Sequence, residues 1–293
     1  MHNNFPSYEL AIKQLGQSLQ KDYRNTYVVS LSIFSWIVQL PKTDILGNMD
    51  KYLDRKQSIM LRSIIQDIDS HYPISYILGN NSFYGLNFVV NDDILIPRPE
   101  TELLVSLVLE YIDSNKSNIP LKLLEIGTGT GCIPISILTN TNQLLEIFAI
   151  DVSPTALSIA KRNSNSLLSN IKSKQLKFRV NNIFTNPIAG KFDIIISNPP
   201  YISKAEYEKL EPSLFFEPKI ALTDNLDGLT FYRKFVEIIN TNLSLTGVCF
   251  FEIHSASARK VKKIFSDGLL RTHKTIVHKD IFGRDRVIEV RFT

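Results

Sequence analysis

Apolar positions between about residues 7 and 72 recur four and seven apart, most clearly at Leu53, Met60, Ile64 and Ile68. That is the period of helices with one face turned to a core. Pro41 and Gly47 punctuate the run before them. No cluster of catalytic residue types falls in this stretch, so the pattern predicts a small helical domain. The pattern then changes. Phe83, Tyr84, Leu86, Phe88, Val89 and Val90 precede a polar Asn91-Asp92-Asp93, and Ile94-Leu95-Ile96 follows it. Two β-rich runs around a polar turn predict a hairpin. Pro97-Arg98-Pro99 stops the second run, and Glu100-Thr101-Glu102 opens an amphipathic helix reaching about Ile112.

From Leu121 onward apolar strands alternate with helices. The strand candidates are Leu121–Ile126, Leu145–Ile150, Gln175–Val180, Phe192–Ser197 and Val248–Ile253, with helices near 132–139, 154–168, 229–242 and 256–267. Continuous apolar strands in this rhythm predict an α/β fold with a parallel sheet covered on both faces. Thr275–His278 and Arg286–Phe292 have only a loop containing Gly283 between them. They predict an antiparallel ending.

Composition adds exclusions. Of the 293 residues 44% are hydrophobic, enough for a sizeable core. The longest apolar-looking stretch, Tyr27 to Leu40, carries Ser30, Ser32, Ser35 and Gln39 and is too short and polar to span a bilayer, so no membrane is expected. The start, MHNNFPSYEL, lacks a basic segment followed by an apolar run, and two cysteines in apolar contexts, Cys132 and Cys249, read as reduced and buried. Both point to the cytoplasm. The net charge of +4 is mild: residues 1–96 hold 8 Lys/Arg against 9 Asp/Glu, the remainder 25 against 20. That falls short of a nucleic-acid footprint, and no direct nucleic-acid contact is expected. The histidines show no metal-ligand spacing, and no metal is expected.

Two segments carry candidate chemistry. Glu125-Ile126-Gly127-Thr128-Gly129-Thr130-Gly131 follows a strand and opens a helix. Its glycines are spaced G-x-G-x-G, and Asp151 lies 20 residues beyond Gly131 at the end of the next strand. An acid there can accept hydrogen bonds from ribose hydroxyls. No basic residue stands beside the loop to meet a phosphate. A cofactor with a ribose and no phosphate fits, and S-adenosylmethionine has that form.

The second segment is Asn198-Pro199-Pro200-Tyr201, at the end of the buried strand Ile194-Ile195-Ile196-Ser197. Two prolines cannot continue a parallel ladder, so the chain must leave the sheet at its carboxyl end. An amide nitrogen or the exocyclic amine of adenine is a poor nucleophile, because its lone pair is delocalised. Acceptors placed on both N–H groups bias it toward tetrahedral geometry. Asn198 offers a side-chain oxygen, Pro199 a backbone oxygen, and Tyr201 a flat face for a planar group. Alignment alone supplies several powers of ten in rate, and no base is needed, so His254 is read as a surface or satisfied histidine. At this point glutamine and adenine acceptors remain equally open.

The chain resembles the HemK/PrmC family of peptide chain release factor N5-glutamine methyltransferases over nearly its whole length. The resemblance rests on Ile96-Pro97-Arg98-Pro99-Glu100-Thr101-Glu102, Phe83-Tyr84-Gly85-Leu86 and Tyr76-Ile77-Leu78-Gly79. Phe216-Glu217-Pro218, Asp227-Gly228-Leu229, Phe231-Tyr232-Arg233 and Gly283-Arg284-Asp285-Arg286 add to it. It implies a Rossmann-like class I methyltransferase domain over 98–293, with a mostly parallel seven-stranded sheet whose last strand is antiparallel. A helical substrate-recognition domain over 1–80 and a β-hairpin linker over 81–97 would precede it. It implies methyl transfer from S-adenosylmethionine to the glutamine of the Gly-Gly-Gln motif in bacterial class I release factors. Nothing in the sequence demands more than a monomer. Glu125, Gly127, Thr128, Gly129, Thr130, Gly131, Asp151, Asn182, Ile183 and Asn198 would bind cofactor. Asn198, Pro199, Pro200, Tyr201, Arg98 and Glu102 would meet substrate, with Pro99 beside them. The chain departs from the family at Asn182, where Asp is usual, and at Glu252-Ile253-His254, where E-I-G is usual. The competing readings are adenine-N6 methylation of DNA or RNA and a cofactor-binding module without catalysis. The near-neutral first 96 residues argue against the former, and intact Asn198 and Tyr201 against the latter.

Overall fold

The computed structural model describes residues 5–20 and 25–292. Residues 1–4, part of the start read for a leader, and 21–24, inside the helical stretch, lie outside the described residues. The chain divides into two compact units, Met1–Gly79 and Asn80–Thr293.

The first unit carries helices Tyr8–Leu19, Thr26–Val38, Lys42–Leu46, Arg55–Asp69 and Ile74–Leu78. Local signals set their ends. The Ser7 hydroxyl accepts from Leu10 N–H, and Asp54 and Gln57 exchange side-chain and backbone bonds in a capping box. Leu15, Leu19, Ile33, Phe34, Ile45, Leu61, Ile64 and Ile68 close a core of their own. Leu53, Ile64 and Ile68 are buried there as their spacing predicts. Among the described residues no helix is long and apolar enough to cross a membrane.

The second unit begins with strands β1 (Asn80–Phe83) and β2 (Leu86–Val89), paired antiparallel. The hairpin therefore turns at Tyr84-Gly85, not at Asn91-Asp92-Asp93, and Ile94-Leu95-Ile96 is not a strand. Tyr84 and Gly85 both take positive φ, 49° and 73°, which gives a two-residue turn whose twist matches the flanking strands. The turn is held by Glu102, whose Oε1 accepts from Tyr84 N–H at 2.7 Å. A short 3-10 turn, Pro99–Thr101, leads into helix Glu102–Ser114.

Seven strands follow: β3 (Leu121–Ile126), β4 (Leu145–Asp151), β5 (Leu176–Val180), β6 (Phe192–Ser197), β7 (Leu243–Glu252), β8 (His273–Lys279) and β9 (Asp285–Phe292). They form one sheet in the order β5-β4-β3-β6-β7-β9-β8. The pairs from β5 to β7 are parallel, and β9 runs antiparallel to both neighbours. The expected seven-stranded α/β sheet with a reversed last strand is present. β7 starts five residues ahead of its sequence boundary, because Leu243–Gly247 continues the extended chain.

Side chains alternate across the sheet even where the sequence does not alternate. Ile194 and Ile196 enter the layer with helix Glu102–Ser114, while Ile195 enters the layer with helices Thr230–Asn242 and Ala258–Gly268. Full burial of each contributes about 1.5–3 kcal/mol, which fixes β6 at the centre. Cys132 and Cys249 are buried and free.

Candidate active site

β3 has β4 on one side and β6 on the other, so the order of connections reverses between β3 and β6. Chains leaving the carboxyl ends of two such strands part in opposite directions and open a crevice. The glycine loop leaves β3 and Asn198-Pro199-Pro200-Tyr201 leaves β6. A cavity of about 370 Å³ lies there. It is lined by Arg98, Gly127, Thr128, Gly129, Thr130, Asp151, Asn182, Ile183, Asn198, Pro199 and Pro200, all expected site residues.

Two backbone bonds set the loop's exit: Gly127 and Thr128 N–H both donate to Ile150 O. Gly127 and Gly129 then take φ of 76° and 52°, and a Cβ on either would project into open space. These are the positions where glycine keeps the floor low enough for a ligand. Asp151 is tethered from beneath, with Oδ2 accepting from Gly129 N–H and Oδ1 from Ser153 N–H, each at 2.9 Å. Each oxygen keeps a lone pair. Burial raises this carboxyl's pKa, against the pull of those N–H donors. Among the described residues Arg98 is the one Lys or Arg on the cavity wall, and it is already paired with Glu217. A ligand with ribose hydroxyls and no phosphate fits this lining.

Glu125 lies under the loop and not on the cavity wall. It is fully buried, its Oε2 accepts from the Thr128 hydroxyl, and Oε1 has no hydrogen-bond partner. Burial pushes its pKa up to about 8. Gly131 sits at the start of helix Cys132–Asn140, where a Cβ would press on Ile135 and Ala160. Asn182 Oδ1 accepts from Phe184 N–H at 3.0 Å, which bends the chain along the cavity beside the buried Ile183.

The tetrapeptide is wired to three other segments. Asn198 Nδ2 donates to Thr101 Oγ1 at 3.1 Å, and Thr101 Oγ1 donates to Glu252 Oε2 at 2.7 Å. The Tyr201 hydroxyl donates to Glu252 Oε1 at 3.2 Å, which draws the ring away from the cavity lining. Burial raises the Tyr201 hydroxyl's pKa and pushes Glu252 up to about 7. Behind the segment Gly228, at φ 76°, lets the chain pass so close to the Tyr201 carbonyl that a Cβ would collide with it.

The remaining expected residues divide. Arg98 reaches the cavity, with its guanidinium donating to Glu217 Oε1 while Glu217 Oε2 accepts from Ile96 N–H. Glu102 does not line the cavity, being turned to the hairpin. His254 also stands off the lining, its ring 6.2 Å from that of Tyr201.

Sequence reasoning assigned no site role to Thr101 or Glu252, which it named only within motifs, nor to Asn163. One signal was present: a carboxylate at the end of the apolar run Val248–Phe251 is out of keeping with a buried strand. Asn163 is wholly buried, and its carboxamide bonds Val89 N–H, Val89 O and Thr130 O, tying the hairpin to the glycine loop.

Residues 101–225 match the family model of the methyltransferase small domain. The chain is 36% identical over 276 residues to the release factor glutamine methyltransferase of Flavobacterium psychrophilum, covering 93% of each chain. It is 31% identical over 281 residues to that of Bacillus cereus, covering 95% of this chain and 96% of the relative. Among solved structures it is similar to the hMettl16 catalytic domain in complex with an untranslated-region hairpin. The TM-score is 0.53 at 15% identity over 81% of each chain, a likeness of fold alone.

Proposed function

The chain belongs to the release factor glutamine methyltransferase family, and from that membership we propose that it methylates the side-chain amide nitrogen of the Gly-Gly-Gln glutamine in peptide chain release factors. S-adenosylmethionine supplies the methyl group from its sulfonium. One observation carries the reading: Asn198 lines the same cavity as Gly127, Gly129 and Asp151. The chemistry follows from what this chain holds at that wall. Asn198 Oδ1 and the Pro199 carbonyl accept from the glutamine NH2, which loosens its lone pair from the amide. Proline keeps its carbonyl free of a neighbouring N–H competitor. Tyr201 supports the acceptor from behind Asn198, with its hydroxyl fixed on Glu252.

Gly127, Thr128, Gly129, Thr130 and Asp151 would hold the cofactor, with Asn182 and Ile183 by its adenine and Glu125 and Gly131 setting the loop from beneath. Arg98 and Pro200 would line the way in, while Pro99, next to Arg98 in the chain, stands off the cavity lining. Glu102 would act on the substrate side only through the hairpin turn it holds. The finer reading is that a cytoplasmic monomer takes bacterial class I release factors, with the helical unit recognising them and the hairpin as linker.

The test offers methyl-labelled S-adenosylmethionine with an intact release factor and with DNA or RNA as separate acceptors. The expected result is label in the release factor, lost in Asn198→Ala by a factor on the order of 100. Label in nucleic acid and none in protein would reverse the assignment in favour of an adenine acceptor.

A further inference from the structure

We propose that Glu252, acting through Thr101, sets which end of the Asn198 carboxamide faces the methyl acceptor. Glu252 and Thr101 are thus positioning residues for the transfer; the inference rests on the function proposed above.

Hydrogen-bond direction decides the orientation of the carboxamide. An amide oxygen and an amide NH2 have nearly the same shape, so packing alone does not choose between them. Only the oxygen can receive a hydrogen from the acceptor nitrogen, and an NH2 turned to an NH2 sets donor against donor. The carboxylate of Glu252 has acceptors alone. The Thr101 hydroxyl has one hydrogen, committed to Glu252 Oε2 at 2.7 Å. Toward Asn198 the hydroxyl therefore presents lone pairs, and Nδ2 meets them at 3.1 Å. Oδ1 is left as the other end, and no hydrogen bond from a described residue engages it. Tyr201 gives its hydroxyl hydrogen to the second carboxylate oxygen. One buried carboxylate thus sets the direction of two chains that end on the tetrapeptide.

Glu252 is itself held firmly. It is 1% exposed, its backbone carbonyl accepts from the Tyr232 hydroxyl at 2.7 Å, and it pairs with Val287 across β7 and β9. A carboxylate in such a place costs free energy unless it is well bonded, and the Thr101 and Tyr201 hydroxyls supply one hydrogen bond to each of its oxygens.

The same logic gives a proton dependence. Once protonated, Glu252 can donate to Thr101. The threonine hydrogen is then free to turn to Asn198, and the carboxamide can reverse. The groups that face Glu252 are Glu100 and Thr101 from the 3-10 turn, Tyr201 from the tetrapeptide, Tyr232 from helix Thr230–Asn242, Arg286 from β9, and the buried Cys132 thiol. Arg286 favours the ionised form and Glu100 opposes it, while burial has carried the group up to about 7.

The test uses the full chain as Thr101→Val, Thr101→Ser and Glu252→Gln. Thr101→Val should lower kcat on the order of 100-fold, with KM for the release factor and cofactor Kd within about twofold. Thr101→Ser, which keeps the hydroxyl, should restore most of the rate. The wild-type rate should fall on the acid side of about pH 7, and Glu252→Gln should flatten that limb. A second arm needs no substrate: the Asn198 side-chain NH2 resonance, identified by its loss in Asn198→Asp, should exchange slowly in wild type and Thr101→Ser and fast in Thr101→Val. Wild-type kcat in Thr101→Val, with an unchanged NH2 signal, overturns the proposal. So does an equal loss of melting temperature and cofactor affinity in the Val and Ser variants, the mark of a merely structural role. A wild-type chain that methylates no release factor overturns the function while the exchange arm still decides the orientation.

Discussion

Glu125 and Glu252 are both wholly buried, and burial raises both carboxyls from an ordinary value of 4.5, to about 8 and about 7. The sign of the effect on stability follows. Between pH 4.5 and these values the folded chain keeps protons that the unfolded chain has released, so stability falls as pH rises through that window. Each group contributes a slope of about 1.4 kcal/mol per pH unit at most. Melting temperatures of wild type and Glu125→Gln at pH 5, 6, 7 and 8 should therefore converge on a flatter curve for the variant. Parallel curves would show that Glu125 holds no such proton. At this scale the site was half legible. Gly127 to Gly131 and Asn198 to Tyr201 are contiguous, and their meaning is carried by local spacing. The partners that orient them are not: Thr101 meets Asn198 across 97 positions and Glu252 across 151, and Arg98 meets Glu217 across 119. No periodicity encodes a single polar contact at such separations.

At the scale of elements, the apolar rhythm located every strand of the large sheet, to within two residues at each end except the start of β7, which lies five residues earlier. Period and burial are the same fact there: β6 buries both faces, so its isoleucines run on without a break. The hairpin shows where that reasoning stops. Asn91-Asp92-Asp93 has the composition of a turn, yet the chain turns at Tyr84-Gly85, because Glu102 accepts from Tyr84 N–H and Asn163 grips Val89 on both sides. Tertiary bonds, not local composition, chose the place. Asn163 then joins the hairpin to the carbonyl of Thr130 in the glycine loop. Asn163→Ala leaves one N–H and two carbonyls without their partner in a buried setting, and should cost about 3 kcal/mol in chemical denaturation. It should also weaken cofactor binding, read by titration calorimetry. A loss below about 0.5 kcal/mol would mean that water replaces the carboxamide and the link is incidental.

At the scale of the molecule, two units each close an apolar core, one of helices and one around the sheet. The cavity and all the residues around it belong to the second. If the helical unit serves recognition, residues 80–293 alone should bind S-adenosylmethionine as the full chain does and lose transfer to an intact release factor by more than about tenfold. Equal transfer by both would remove recognition from the helical unit. The central claim, that the Asn198 site delivers a methyl to a glutamine amide, is tested most directly by mass spectrometry of the release factor after incubation with the full chain and cofactor. The account predicts one added methyl on the glutamine of the Gly-Gly-Gln peptide, absent with Asn198→Ala. A methyl on any other residue, or an unmodified glutamine alongside methylated nucleic acid, would contradict it.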